Sequence, residues 1–204
     1  VKDAKLRTFI TQDADRTDMV QHVYDTTYGI VKDHEDTIVA IDDSIVRGTT
    51  LKQSILTILD RLNPKKIVIV SSAPQIRYPD CYGIDMSRMG EFVAFEAAIN
   101  LLKQRGMAHI IDEVYQKCVL SMTQDVNDIE NYVKAIYAPF TDEEISEEIG
   151  RIVRPHHLKA GLEVVYQTLD NLHQACPAHT GDWYFSGDYP TPGGNKIVNK
   201  AYMN

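Results

Sequence analysis

Hydrophobic residues fall along this chain in two rhythms. Two short unbroken runs rich in β-branched side chains, Ile38-Val39-Ala40-Ile41 and Ile67-Val68-Ile69-Val70, suit strands of a parallel sheet buried on both faces. With their flanks they predict strands over Thr37–Asp42 and Lys66–Ser72, and Glu163–Tyr166 reads as a third. Elsewhere the apolar positions recur at helical spacing. Leu51, Ile55, Ile58, Leu59 and Leu62 predict an amphipathic helix over residues 49–62, with Thr49 or Thr50 at its N-cap and Asn63-Pro64 as its stop. Phe92, Phe95, Ile99 and Leu102 predict another over residues 88–103, and Thr168 caps a short one over residues 168–175. Strand, helix, strand in this order is a βαβ unit, for which a right-handed crossover is expected. The fold class is therefore α/β with an open, mainly parallel sheet.

Residues 107–160 read differently. Ile110, Ile111, Val114, Tyr115 and Cys118 predict one helix, and Val126, Ile129, Tyr132, Val133 and Ile136 a second. A third starts at Thr141, where Glu144 three residues on makes a capping-box pattern, and continues through Ile145, Ile149 and Ile152. Between Met107 and Gly150 stand ten Asp or Glu against two Lys. That stretch alone equals the whole chain's net charge of −8, because the remaining 19 acids and 19 bases cancel. An acidic balance argues against nucleic acid as a partner, since phosphate backbones are neutralised by Lys and Arg. Two readings of these helices stand: a stabilising lid with a solvated acidic face, which is favoured, and a surface for docking a partner.

At 204 residues the chain is long enough for one α/β domain with a real core. No run approaches the roughly 18 apolar residues of a membrane span, and no signal segment is visible. Cys81, Cys118 and Cys176 form no CxxC and read as buried free thiols, so the cytoplasm is the expected compartment. His156-His157 lacks a sensibly spaced third ligand and reads as a surface or helix-start pair.

The chemistry concentrates at Ile38–Thr50. Asp42 and Asp43 follow the first strand, and Ser44, Ile45, Val46, Arg47, Gly48, Thr49 and Thr50 lead from there into the helix. Open α/β sheets hold ligands at the carboxyl ends of their strands. Loop amides and a helix N-terminus favour a phosphate. The dipole contributes only about 0.3–1 kcal/mol. Charge-assisted hydrogen bonds, roughly 1.5–3 kcal/mol each, carry more. The two carboxylates repel a phosphate and suit ribose hydroxyls or Mg²⁺ instead, because hard cations take oxygen ligands. Gly48 lets the backbone approach or turn, and Arg47 either pairs with the phosphate or faces solvent. Together these describe a site for a phosphorylated ribose.

The segment resembles the phosphoribosyl-pyrophosphate (PRPP) motif of type I phosphoribosyltransferases. Its wording, DDSIVRGTT, resembles more particularly the glutamine-dependent amidophosphoribosyltransferases. Arg7-Thr8-Phe9-Ile10, Ser72-Ala73-Pro74 with Ile76-Arg77, and Tyr82-Gly83-Ile84-Asp85-Met86 match that family as well. The resemblance implies that residues 1–106 are the C-terminal half of a phosphoribosyltransferase core, 107–160 a helical insertion, and 161–204 a return strand, helix and C-terminal tail. It implies a C-terminal piece of a larger polypeptide, with an N-terminal glutaminase domain outside this chain.

The implied reaction displaces pyrophosphate from PRPP by glutamine-derived ammonia, giving 5-phosphoribosylamine at the start of purine synthesis. Asp42 and Asp43 would be the catalytic and Mg²⁺-facing residues, Ser44 to Thr50 the 5′-phosphate cradle, and this piece alone would be inactive. Purine nucleotides as inhibitors and a homo-oligomer are implied for the full-length protein. Two departures stand out. The loop expected to close over pyrophosphate is basic in the family but here carries Asp13, Asp15 and Asp18, with Arg16 as its obvious cation. An alternative is therefore a catalytically weakened relative that binds PRPP or a purine nucleotide as a regulatory module. Relatives with an iron–sulfur cluster have a CxxC where this chain has Gly181 and Tyr184, and a cysteine at the position of Asp80, so no cluster is expected.

Overall fold

The computed structural model describes residues 29–80, 86–179 and 181–204. Strand β1 (Thr37–Asp42) leaves through a loop into a π-helical turn, Leu51–Ile55, which runs on into α1 (Leu56–Asp60). Strand β2 (Lys66–Ser71) follows, then a single 3-10 turn, Met89–Glu91, and α2 (Val93–Gln104). Next come α3 (His109–Ser121), a 3-10 turn at Val126–Asp128, α4 (Lys134–Tyr137) and α5 (Asp142–Val153). The chain closes with β3 (Gly161–Tyr166), α6 (Leu169–Ala175), α7 (Trp183–Ser186) and α8 (Pro192–Met203).

The described strands form one open parallel sheet in the order β1-β2-β3. This is the α/β architecture expected of an incomplete type I phosphoribosyltransferase-like sheet. Thr37, Lys66 and Gly161 share one end of the register, and Asp42, Ser71 and Tyr166 the other. The acidic pair thus lies at the carboxyl edge of the sheet. Strand β3 begins two residues before its predicted start because Gly161 donates to the Lys65 carbonyl and joins the ladder without any apolar signal of its own.

The two faces of the sheet differ. Ile67, Ile69 and Val164 are buried, and Gly150 of α5 sits against Val164. On the opposite face Val39 is 59% and Ile41 76% exposed, with the exposed Val165 on the far side of β2 and the Lys66–Glu163 ion pair across β2 and β3. The expectation that β1 is buried on both faces therefore fails among the described residues. There β1 is an edge strand, and only the face touched by α5 is closed.

Helices α2 and α5 pack together, and Ala97, Ala98 and Leu102 of the one and Ile145 and Ile149 of the other are all fully buried in one cluster. The alanines allow close approach of the two backbones. The capping box at Thr141 and Glu144 is formed in both directions. Helix α3 packs on α8, and the helices of residues 107–160 share one continuous hydrophobic cluster with the sheet.

Three sequence expectations need correction here. Residues 126–136 are not one helix. Asp125 accepts the Asn127 amide and Asn131 the Val133 amide, and such local bonds compete with a helical ladder. Thr50 has helical backbone angles and makes no side-chain capping bond, and Thr49 and Thr50 are both already helical ahead of the π turn, so neither is the N-cap. Cys118 is buried, but Cys176 is exposed at the end of α6, a helix with no buried residue. Thr168 caps α6 as expected, accepting the Asn171 amide at 3.1 Å. Arg7–Ile10, Asp13, Asp15, Arg16, Asp18 and Cys81 to Asp85 lie outside the described residues.

Candidate active site at the carboxyl edge of the sheet

The end of β1 folds back on its own carboxylates. Asp42 Oδ1 accepts the Asp43 amide at 3.0 Å, and Asp43 Oδ1 accepts the Ser44 amide at 2.7 Å. Their carbonyls are also engaged. The amides of Ser72 and Ala73 donate to the Asp42 and Asp43 carbonyls at 2.9 and 3.1 Å, and Ser72 Oγ donates to Asp43 O at 3.2 Å. The exit of β2 thus holds the acidic pair in place. Asp42 is half-buried and Asp43 exposed. Burial pushes the Asp42 carboxyl above its ordinary range; the hydrogen bond from the Asp43 amide opposes that shift and the Asp43 charge adds to it.

Three contacts shape the loop that follows. Ile45 turns into the core and is buried. The Val46 carbonyl accepts the Val93 amide at 2.8 Å, which ties the loop to the start of α2. Gly48 has φ +70, and a Cβ there would meet Val153 Cγ1 at 2.7 Å. Only glycine satisfies both the left-handed backbone and that contact. The Gly48 carbonyl then accepts the Lys52 amide at 2.9 Å as the π turn begins.

Among the described residues, no acceptor engages the amides of Ile45, Val46, Gly48, Thr49 or Thr50. A helix start leaves such donors over, and here the loop in front adds more. Thr49 is exposed, while Ser44 and Thr50 are partly so. Arg47 meets a carboxylate: Glu91 Oε2 accepts from its Nε at 2.8 Å and lies 2.7 Å from Nη2. Glu91, Val93 and Val153 are invisible to a reading of the loop itself, because they approach it from 44 or more residues away. The resemblance includes Ser72 and Ala73, yet their clamp on the carbonyls appears only in three dimensions.

Among the described residues no group of three or more His, Cys, Asp or Glu could hold a metal ion. No described helix is long and apolar enough to cross a membrane.

No family model matches the chain. Curated relatives do. An amidophosphoribosyltransferase of Pasteurella multocida is 33% identical over 133 residues, covering 64% of this chain and 26% of that protein. One of Haemophilus influenzae is 42% identical over 90 residues, 44% of this chain and 17% of that protein. One of Pseudomonas aeruginosa is 46% identical over 57 residues, 28% of this chain and 11% of that protein. The chain thus spans about a quarter or less of the length of the relatives it matches. With the parallel sheet and the acidic pair at its carboxyl edge, these similarities lead to one conclusion: the chain carries a partial amidophosphoribosyltransferase region, of the phosphoribosyltransferase-domain kind.

Proposed function

We propose that this region binds PRPP with Mg²⁺ and, in the full-length protein, takes part in transferring glutamine-derived ammonia to it to give 5-phosphoribosylamine. The observation that supports this most is the set of amides of Ile45, Val46, Gly48, Thr49 and Thr50, engaged by no acceptor among the described residues, beside Asp42 and Asp43. The 5′-phosphate lies against those amides, helped by the hydroxyls of Ser44, Thr49 and Thr50. Five N–H donors offered to one anion form a nest of the kind that phosphates occupy.

Asp42 and Asp43 face the ribose. As pyrophosphate departs, the anomeric carbon gains positive charge, and the neighbouring carboxylates stabilise that charge and hold the ring in a reactive pose. No protein nucleophile is required. The donor set suits Mg²⁺: two carboxylates, too few for an all-protein cage, match a cation that takes its other ligands from substrate oxygens and water. When bound, Mg²⁺ supplies charge neutralisation on the pyrophosphate. Arg16 is the residue assigned to the pyrophosphate end. Purine nucleotides as inhibitors, a homo-oligomeric full-length protein and a cytoplasmic setting belong to the same reading.

The acidic residues Asp13, Asp15 and Asp18 favour a second reading, a regulatory module that keeps the cradle without turnover. Titration calorimetry with PRPP and with purine monophosphates, each with and without Mg²⁺, separates the two. Under the first reading PRPP binds in the presence of Mg²⁺, and Asp43→Asn abolishes the binding. Mg²⁺-independent binding of a purine monophosphate, with no response to PRPP, would replace it with the second.

A further inference from the structure

We infer that Glu91 is a positioning residue for the phosphate loop, holding Arg47 against the entrance of α2 so that the loop amides converge on the anion. This rests on the proposal that Ser44 to Thr50 bind a phosphate.

Arg47 is the one basic residue between Ile38 and Leu51, and the obvious candidate to meet an anion there. Its guanidinium is instead held by Glu91, through both Nε and Nη2 on a single carboxylate oxygen. The other oxygen of Glu91 lies 3.6 Å from Nη1 of the well-exposed Arg88. Two residues further on, the Val93 amide donates to the Val46 carbonyl. The same short turn therefore grips consecutive loop residues twice, once by backbone and once by charge. Phe92, between the two tethers in sequence, is buried in the core. On the far side Gly48 rests against Val153. Val46, Arg47 and Gly48 are thus restrained from outside the loop while the amides around them are left for a ligand. With its charge compensated by Glu91, Arg47 acts as a strut, and neutral N–H dipoles recognise the phosphate.

The test uses the full chain and ribose 5-phosphate, which presents the phosphate end without pyrophosphate. Affinity is measured for the wild type, Glu91→Gln, Glu91→Asp, Arg47→Gln and the Glu91→Gln/Arg47→Gln double variant, together with each unfolding midpoint. Glu91→Gln is expected to weaken binding about tenfold, the loss of roughly one well-oriented charge-assisted hydrogen bond. Arg47→Gln should cost about as much, and the double variant no more than either, because both substitutions break the same strut. Glu91→Asp should recover part of the loss. The midpoints should hardly move, since part-exposed ion pairs contribute little to stability. Unchanged or tighter binding by Glu91→Gln overturns the inference, and so does an Arg47→Gln loss far exceeding that of Glu91→Gln, which would make Arg47 itself the phosphate ligand. Failure of the wild type to bind overturns the phosphate-loop reading first, and this inference with it.

Discussion

The carboxylate of Asp60 accepts the backbone amide of Ala160 at 3.0 Å, joining two residues a hundred positions apart. Asp60 is the last residue of α1 and is almost fully buried. It also accepts the Lys159 amide, at 3.2 Å to each oxygen. The Thr141–Ala160 stretch is thereby delivered to the start of β3 in register with β2. Asp60→Ala should destabilise the chain by about 3 kcal/mol, since it leaves two amides without a partner near the core. Urea denaturation checks this: the midpoint falls while the denaturant dependence keeps its slope. Asp60→Asn should cost less, because one oxygen remains to accept.

Asp42 makes the fold and the proposed function compete. Burial raises its folded-state pKa above the ordinary 3.8, so the folded protein holds the proton longer than the unfolded chain does. The stabilising contribution is complete below that ordinary value and is lost as pH rises through the raised folded-state value. Above it, the ionised carboxylate costs stability. Asp42→Asn, which keeps an oxygen for the Asp43 amide, should therefore raise the unfolding midpoint at neutral pH while weakening PRPP binding. The stability difference between variant and wild type should shrink as the pH is lowered from the raised folded-state value to 3.8. A variant less stable than wild type at neutral pH would contradict this.

Gly48→Ala combines a left-handed backbone with a Cβ 2.7 Å from Val153 Cγ1. Holding that conformation with alanine costs about 1–3 kcal/mol. The loop can escape the strain by rearranging, which spoils the amide array. A larger loss is therefore expected in phosphate affinity than in stability. Adding Val153→Ala should recover stability in part, by removing the contact, without restoring φ or binding.

Asn199 of α8 is completely buried. Its side-chain amide donates to the Glu130 carbonyl at 2.8 Å and to Ser121 Oγ at 3.2 Å, and its oxygen accepts the Tyr132 amide at 3.2 Å. One side chain thus joins α8, the end of α3 and the irregular segment before α4. Asn199→Leu should cost about 2–4 kcal/mol by orphaning these groups. Amide hydrogen exchange should show α8 losing protection ahead of the sheet.

What could be read in advance was local. The β-branched runs placed β1 and β2 to within a residue, and Thr141 with Glu144 located the start of α5 because a capping box is written in four consecutive positions. What escaped depends on distance or on competition. Val39 and Ile41 look like core in a four-residue run, yet their exposure is decided by which elements cover the sheet. Pro192, Gly193 and Gly194 concealed α8, whose stability comes from packing on α3 and from the Thr191 cap rather than from propensity. At the site, Asp42, Asp43 and the loop were legible as a motif. The clamp from Ser72 and Ala73, and the Arg47–Glu91 pair, required partners that the motif does not contain.

The central claim is that the backbone between Ile45 and Thr50 is shaped to receive a phosphate, and heteronuclear NMR of the amides tests it most directly. On titration with ribose 5-phosphate, the resonances of Ile45, Val46, Gly48, Thr49 and Thr50 should shift together and saturate at one affinity, while amides on the exposed Val39–Ile41 face stay still. Loop amides that do not move, with shifts elsewhere or none at all, would contradict the account.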